Sequence, residues 1–222
     1  MPLNLAMDGP VGAGKSSIAS AVAKRLNILH LDTGAMYRTV GLAALRRGVS
    51  LDDEAAVTAL CGEVTIGVRH GENGQATLLE GEDVSGLIRT PEVSMAASKV
   101  ARYAGVRKAM VALQQKLAAE TDMLVDGRDI GTVVLPNATV KIFLTASAEE
   151  RARRRFLELQ QKGAPDTYEQ VLADLIRRDE QDMNREVDPL RQAEDALLVD
   201  STNLDFDGVV EAILKIVEEK RA

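Results

Sequence analysis

Gly9-Pro10-Val11-Gly12-Ala13-Gly14-Lys15-Ser16 decides how this chain folds. The octapeptide matches G-x-x-x-x-G-K-[ST] at every fixed position. An apolar run precedes it, at 3–7, and an Ala-rich amphipathic stretch follows. That strand–loop–helix setting gives the motif its meaning. Glycines let successive backbone N–H groups curl around a polyphosphate, and the helix N-terminus adds partial positive charge. Lys15 is expected to reach the β- and γ-phosphates, and the Ser16 hydroxyl to ligate Mg²⁺. Gly9 through Ser16, with Ser17, form the expected nucleotide-holding set. Nucleoside triphosphate binding follows from this. The acceptor does not, because the same loop serves switches, motors and kinases.

Outward from the loop, short apolar runs at 3–7, 28–31, 123–125, 140–144 and 197–199 alternate with longer amphipathic stretches. This is the pattern of a parallel five-stranded sheet flanked by helices, an α/β fold. Residues 207–220 read as a closing amphipathic helix. About 90 residues separate the second and third strands, far more than the dozen or so of a minimal crossover. Within them, 64–68 and 76–79 flank His70-Gly71-Glu72-Asn73-Gly74, a predicted β-hairpin. Thr90-Pro91 then opens a helix, with the threonine as cap and the proline at the first helical position. This span reads as an inserted subdomain; a decorative loop is the plainer alternative.

Composition narrows the functions open to such a fold. The 222 residues are 45% hydrophobic and 27% charged, as in ordinary globular chains rather than disordered ones. A net charge of −7 argues against a general nucleic-acid binder. No apolar run approaches the roughly 18 residues of a membrane span. Met1-Pro2-Leu3-Asn4 lacks a basic segment followed by a long apolar one, so no secretory signal is expected. One cysteine permits no internal disulfide and fits a reducing cytoplasm. The modest length is compatible with a monomer.

Two helices in the second half carry start signals. Ser147-Ala148-Glu149-Glu150 and Thr167-Tyr168-Glu169-Gln170 both fit the capping box, and Gly163-Ala164-Pro165-Asp166 between them reads as a turn able to act as a hinge. After Thr167, Val171, Leu175, Arg178, Asp182 and Arg185 are spaced to share one helical face that turns from apolar to charged. Either these charges pair with one another along the helix or a ligand occupies the space. Arg151, Arg154 and Arg155 share a face of the preceding helix. A solvated surface explains such a run, as does bidentate contact with phosphoryl oxygens.

Several segments together resemble bacterial cytidylate kinases. They are the phosphate loop, Asp32-Thr33-Gly34-Ala35-Met36-Tyr37-Arg38, Ser98-Lys99-Val100-Ala101 with Val106-Arg107, Asp126-Gly127-Arg128-Asp129-Ile130-Gly131-Thr132, and Arg177-Arg178-Asp179 with Asp182 and Arg185. The resemblance runs from Met1 to the Asp200-Ser201-Thr202-Asn203 segment. Thr33 stands where relatives often have serine, and the hydroxyl survives. The resemblance implies a P-loop core at 1–32, 108–147 and 193–222, a monophosphate-binding subdomain at 33–107, and a helical lid with its adjoining helix at 148–192.

It also implies roles. Arg38, Arg128 and Arg185 would hold an acceptor α-phosphate. Ser98, Arg107 and Asp129 would read a cytosine edge, Arg178 and Asp182 would face the sugar, and Thr33 would join the substrate contacts. Arg151, Arg154 and Arg155 would lie on the lid over the triphosphate. Lys15, Arg128, Arg154 and Arg185 would stabilise the moving phosphoryl group. The implied reaction is transfer from Mg·ATP to CMP or dCMP. Two rivals stay open: a kinase of another small acceptor, and a nucleotide-dependent switch without transfer chemistry. The N-K-x-D segment of guanine-specific switches is absent. His30 and His70 read as structural, in a strand and a hairpin turn. Met7, Met110 and Met123 read as core filling, and Cys61 as a small buried apolar residue.

Overall fold

The computed structural model describes residues 2–71 and 74–221. In chain order its elements are β1 (Asn4–Asp8), α1 (Lys15–Leu26), β2 (Leu29–Asp32), α2 (Thr33–Arg46) and α3 (Glu54–Glu63). Then come β3 (Ile66–Gly71), β4 (Gly74–Leu79), β5 (Glu82–Asp83), a 3-10 turn (Leu87–Arg89), α4 (Pro91–Val100) and α5 (Ala104–Glu120). The second half holds β6 (Met123–Asp126), a π-helical turn (Ile130–Val134), β7 (Val140–Thr145), α6 (Ala148–Gln161), α7 (Tyr168–Met183), β8 (Leu197–Asp200) and α8 (Phe206–Arg221). The larger sheet is parallel and five-stranded, in the order β2-β6-β1-β7-β8; the smaller runs β3-β4-β5. All five predicted core strands are present, each within a residue or so of its expected bounds.

The chain divides into two compact units, one of Leu3–Ile28 with Leu124–Ala222, the other Leu29–Met123 with the first two residues. In the first, Leu5 and Met7 of β1, Val140, Ile142 and Leu144 of β7, and Leu124 meet Ile18, Ala19, Val22 and Ala23 of α1 and Val210, Ile213 and Val217 of α8. The apolar positions of α1 recur at helical spacing and face this core. The helix ends at Asn27, whose left-handed backbone directs its N–H to the Ala23 and Lys24 carbonyls. A second, smaller cluster packs Val171 and Leu175 of α7 on Ala152 of α6, with Val11 of the phosphate loop against it.

In the second unit, Asp32 caps α2, Asp53 caps α3 and Thr90 caps α4 with Pro91 behind it, the last as expected from the sequence. Helices α2 and α4 approach closely at Gly41, where an added Cβ would lie 3.0 Å from the Ala96 side chain. The predicted hairpin is present, with Ile66 opposite Leu79 and Gly71 opposite Gly74; Glu72 and Asn73 of its turn lie outside the described residues. It carries a third strand that hydropathy does not signal. Glu80 and Gly81, both at positive φ, turn the chain back so that Glu82 pairs with Leu79.

Four expectations need correction. His70 lies in β3 rather than in a turn. Cys61 is half-buried, its thiol pushed up by burial and directed at the Val57 carbonyl. Only half of the capping box at Ser147 forms: its hydroxyl accepts from the Glu150 N–H, while the Glu150 carboxylate is taken by Arg153 and Arg154. The box at Thr167 is complete. Arg185 lies beyond α7, which ends at Met183, so the charged stripe is not one helical face to its end.

The tightest backbone approach is at Gly9, where a Cβ would lie 1.9 Å from the Leu144 carbonyl oxygen of β7. Gly14 is also at positive φ, but an added Cβ there would meet nothing within 4 Å. Gly9→Ala is expected to lower the thermal midpoint by roughly 6–12 °C, corresponding to about 3 kcal/mol or more. Gly14→Ala should lose only the left-handed backbone preference, about 1–2 kcal/mol. Equal midpoints for the two variants in thermal unfolding would contradict this ranking.

Candidate active site

The phosphate loop spans the end of β1 and the start of α1. Gly12 and Gly14 adopt φ of 77° and 83°, the left-handed turns that aim consecutive N–H groups inward. Lys15 is buried, and its Nζ donates to the Pro10 carbonyl at 2.7 Å. Burial, and next the positive Arg128, push its ammonium down to about 7, against the opposing pull of Asp126, Asp182 and Asp8. Lys15, Arg128, Asp126 and Asp182 are therefore electrostatic neighbours although the sequence scatters them. Ser16 Oγ donates to Asp126 Oδ2 at 2.9 Å.

The segment after β6 supplies the next layer. Asp8, the last residue of β1, accepts the Ile130 and Gly131 N–H groups on its two oxygens, each at 2.7 Å. This anchors the turn that carries Arg128 and Asp129. Arg128 Nε donates to Asp182 Oδ2 at 2.7 Å, and its Nη1 to the Gly127 carbonyl. Asp129 and Arg185, both buried side chains, lie 4.0 Å apart. Arg185 also donates to the Val187 and Asp188 carbonyls. Asp182 and Arg185 thus find charge partners on other segments, whereas the acids that favour the charge of Arg178, Asp174 and Asp182, lie on its own helix. Arg178 is half-buried, its guanidinium pushed down by burial and by Arg128.

The other unit arranges its own residues. Arg38 Nη2 donates to Asp32 Oδ2 at 2.8 Å, while its Nε is buried with no partner. Arg107 is fully buried, lies over the Tyr37 ring at 5.7 Å and donates to the Ala101 carbonyl. Ser98 is exposed on α4, its hydroxyl turned back to the Ser94 carbonyl. Thr33 is buried at the first position of α2.

A family model described as cytidylate kinase matches residues 5–219. The chain belongs to the cytidylate kinase family. A cytidylate kinase of Carboxydothermus hydrogenoformans is 50% identical over 98% of this chain and 98% of that protein. One of Caldicellulosiruptor bescii is 49% identical over 96% of this chain and 95% of its own length. A solved protein of Eubacterium ventriosum, at 12% identity and a TM-score of 0.53 over 97% of this chain and 98% of its own, shares the fold alone.

Within this cytidylate kinase family member, Arg151, Arg154 and Arg155 differ sharply. Arg151 donates to the Val11 carbonyl of the phosphate loop at 2.8 Å and to the Ala146 carbonyl, and pairs with buried Asp179 at 2.7 Å. It ties α6 and α7 to the loop. Arg154 holds Glu150 and both the hydroxyl and carbonyl of Ser201. Arg155 is exposed and paired with Glu158. Asp8, Asp126 and Tyr37 were given no role by sequence reasoning. For Asp126 a signal existed in the acid that follows the apolar run at 123–125 of a chain with a phosphate loop, a place from which such folds hold magnesium. Magnesium takes oxygen ligands and keeps several waters, using one or two protein oxygens beside those of phosphate. Ser16 and Asp126 fit that demand.

Asp8 is a carboxylate in competition with itself. Burial raises it to about 6 and outweighs the two backbone N–H donors and Lys15, which favour its charge. A folded-state value above the ordinary 3.8 means the native state binds the extra proton between these limits. Its contribution is then complete below about pH 4 and is lost as pH rises through 6. Urea midpoints should therefore show the stability advantage of wild type over Asp8→Asn shrinking from pH 4 to pH 7, by up to about 3 kcal/mol. An advantage that grows over that range would mean the backbone donors dominate.

Proposed function

We propose that the protein transfers the γ-phosphoryl group of ATP to CMP or dCMP, giving ADP and CDP or dCDP. The observation that carries this reading is the gathering of Lys15, Arg128, Asp182 and the Ser16–Asp126 pair at one phosphate loop, in a chain of the cytidylate kinase family. The Gly9–Gly14 loop would cradle the triphosphate with its backbone N–H groups, Pro10 contributing none, and Lys15 would leave the Pro10 carbonyl for phosphoryl oxygens. Ser16 and Asp126 would hold magnesium, which when bound screens charge on the β- and γ-oxygens.

Arg38, Arg128 and Arg185 are assigned the acceptor's α-phosphate. The buried, unpartnered Nε of Arg38 supports its assignment. The Asp182 carboxylate fixes the plane of the Arg128 guanidinium as well as facing the sugar with Arg178. Arg107, Ser98 and Asp129 are assigned the base. Cytosine offers an N4 amino donor with acceptors at N3 and O2, complementary to a carboxylate and an arginine. Uracil would set a carbonyl oxygen against Asp129, which a site built for the amino group rejects. Thr33 joins the acceptor contacts. Arg154 and Arg155 remain candidates for the triphosphate, while the bonds of Arg151 suit it to support the loop that does the holding. We take the enzyme to be a cytoplasmic monomer; among the described residues no helix is long and apolar enough to cross a membrane.

The acceptor oxygen is already anionic, so transfer needs no strong general base. Catalysis is positioning and charge stabilisation. Exclusion of water by the lid would keep ATP from being hydrolysed.

ADP formation from Mg·ATP with CMP, dCMP, UMP, AMP, GMP or no acceptor tests the reading. Rapid turnover with CMP and dCMP alone is expected; acceptor-independent ADP formation would favour a switch instead. Asp129→Ala should lose at least about tenfold in the CMP-over-UMP ratio of kcat/KM, with ATP affinity nearly intact. Unchanged selectivity would remove Asp129 from base reading.

A further inference from the structure

The inserted three-stranded sheet has no part in the roles assigned above, yet one of its side chains reaches the segment that carries Arg38. Gln75 is the second residue of β4, opposite His70. Its Oε1 accepts the Asp32 backbone N–H at 2.7 Å, and its Nε2 faces the Asp32 carbonyl at 3.4 Å and donates to Thr77 Oγ1 at 3.1 Å. The side-chain amide thus grips one residue, Asp32, by both its N–H and its carbonyl. Reversing it would set Nε2 against the Asp32 N–H, donor against donor.

Asp32 is the residue on which this corner turns. It ends β2 and caps α2, with Oδ1 accepting the Ala35 N–H at 2.9 Å and Oδ2 holding Arg38 at 2.8 Å. In a capping box, the cap residue's own N–H is satisfied by a Glu or Gln three residues on. Thr167 and Gln170 do this within α7, at 2.8 Å. Three residues after Asp32 stands Ala35, which has no such atom. Gln75 supplies the missing acceptor from 43 residues away. Gly34 leaves room for the result: a Cβ there would lie 3.1 Å from Asp32 Oδ1 and 3.2 Å from Arg38 Nη1.

We infer that Gln75 is a positioning residue, completing the cap of α2 from the inserted sheet and so fixing the Asp32–Arg38 pair for the acceptor's phosphate. The inference rests on the role proposed above for Arg38. It gives the insert a task in substrate binding.

Calorimetric binding of CMP and of ATP to wild type, Gln75→Met, Arg38→Met and the double variant tests it. Methionine keeps the length of the side chain and removes both hydrogen-bonding atoms. Gln75→Met is expected to weaken CMP about three- to tenfold and change ATP affinity less than about twofold. In the Arg38→Met background it should add less than about twofold, because the group it positions is gone. A folded Gln75→Met with wild-type CMP affinity overturns the inference, as does an equal loss with and without Arg38. If Arg38→Met alone binds CMP normally, or wild type binds none, the functional reading falls and takes this inference with it. Hydrogen exchange on the wild-type protein needs no variant: the Asp32 amide should be protected at least as well as that of Thr167. Exchange at the rate of an open amide overturns the clamp.

Discussion

The absence of a single carbon at Gly9 lets the rest of the catalytic unit exist. The backbone there passes so close to β7 that no side chain fits against the Leu144 carbonyl. The phosphate loop therefore lies directly on the carboxyl ends of β1 and β7, at the middle of the sheet, rather than standing off it. From that seat Lys15 turns inward, α1 leaves at the angle its apolar face requires, and Asp8, one residue earlier, points into the segment following β6. Its two backbone acceptances place Arg128 and Asp129. A loop that began one atom further out would lose this registry.

The charges so gathered are largely satisfied by the protein itself. Arg128 has Asp182, Arg185 lies beside Asp129, and Arg151 has Asp179. Such pairs add little net stability, because desolvation offsets most of the attraction, but removing one partner strands the other. Their value here is geometric. On the reading proposed above, guanidinium planes held by carboxylates would not have to be ordered when an anion arrives, which lowers the entropic cost of binding it.

The sequence made plain whatever is written locally. Five strands, the phosphate loop, the proline-started α4 and the Thr167 capping box each depend on residues within a few positions of one another, and each formed as read. Features that depend on distant partners were not legible. The short, charged β5 has no hydropathy signal, and its turn works through backbone conformation. Asp8 stands just past the strand predicted at 3–7, and nothing nearby in the sequence says its carboxylate will meet Ile130 and Gly131. The Glu150 carboxylate was expected to complete a cap, but two arginines on the next turn compete for it. Arg185 kept its helical spacing in the sequence after the helix had stopped. Gln75 was invisible for the same reason, because the gap it fills is noticed only when Ala35 is seen where a longer side chain would serve. Resemblance drew attention to Arg38, Arg128 and Arg185 as one set and to Ser98, Arg107 and Asp129 as another. It could not say which of Arg151, Arg154 and Arg155 supports the loop and which faces solvent.

That last distinction bears on mutational tolerance. Arg151, Arg153 and Arg155 stand within five positions, yet their side chains are 6%, 58% and 46% exposed. Arg153 and Arg155 each meet one carboxylate on their own helix, a contact an ammonium reproduces about as well. Arg151 spans two carbonyls and a buried carboxylate in three directions, which requires a planar fork and defeats a single point charge. Sequences drifting under selection for a working loop can exchange arginine for lysine freely at the outer two positions and hardly at all at the inner one. The same exchange is neutral or damaging according to which way the helix happens to turn that residue.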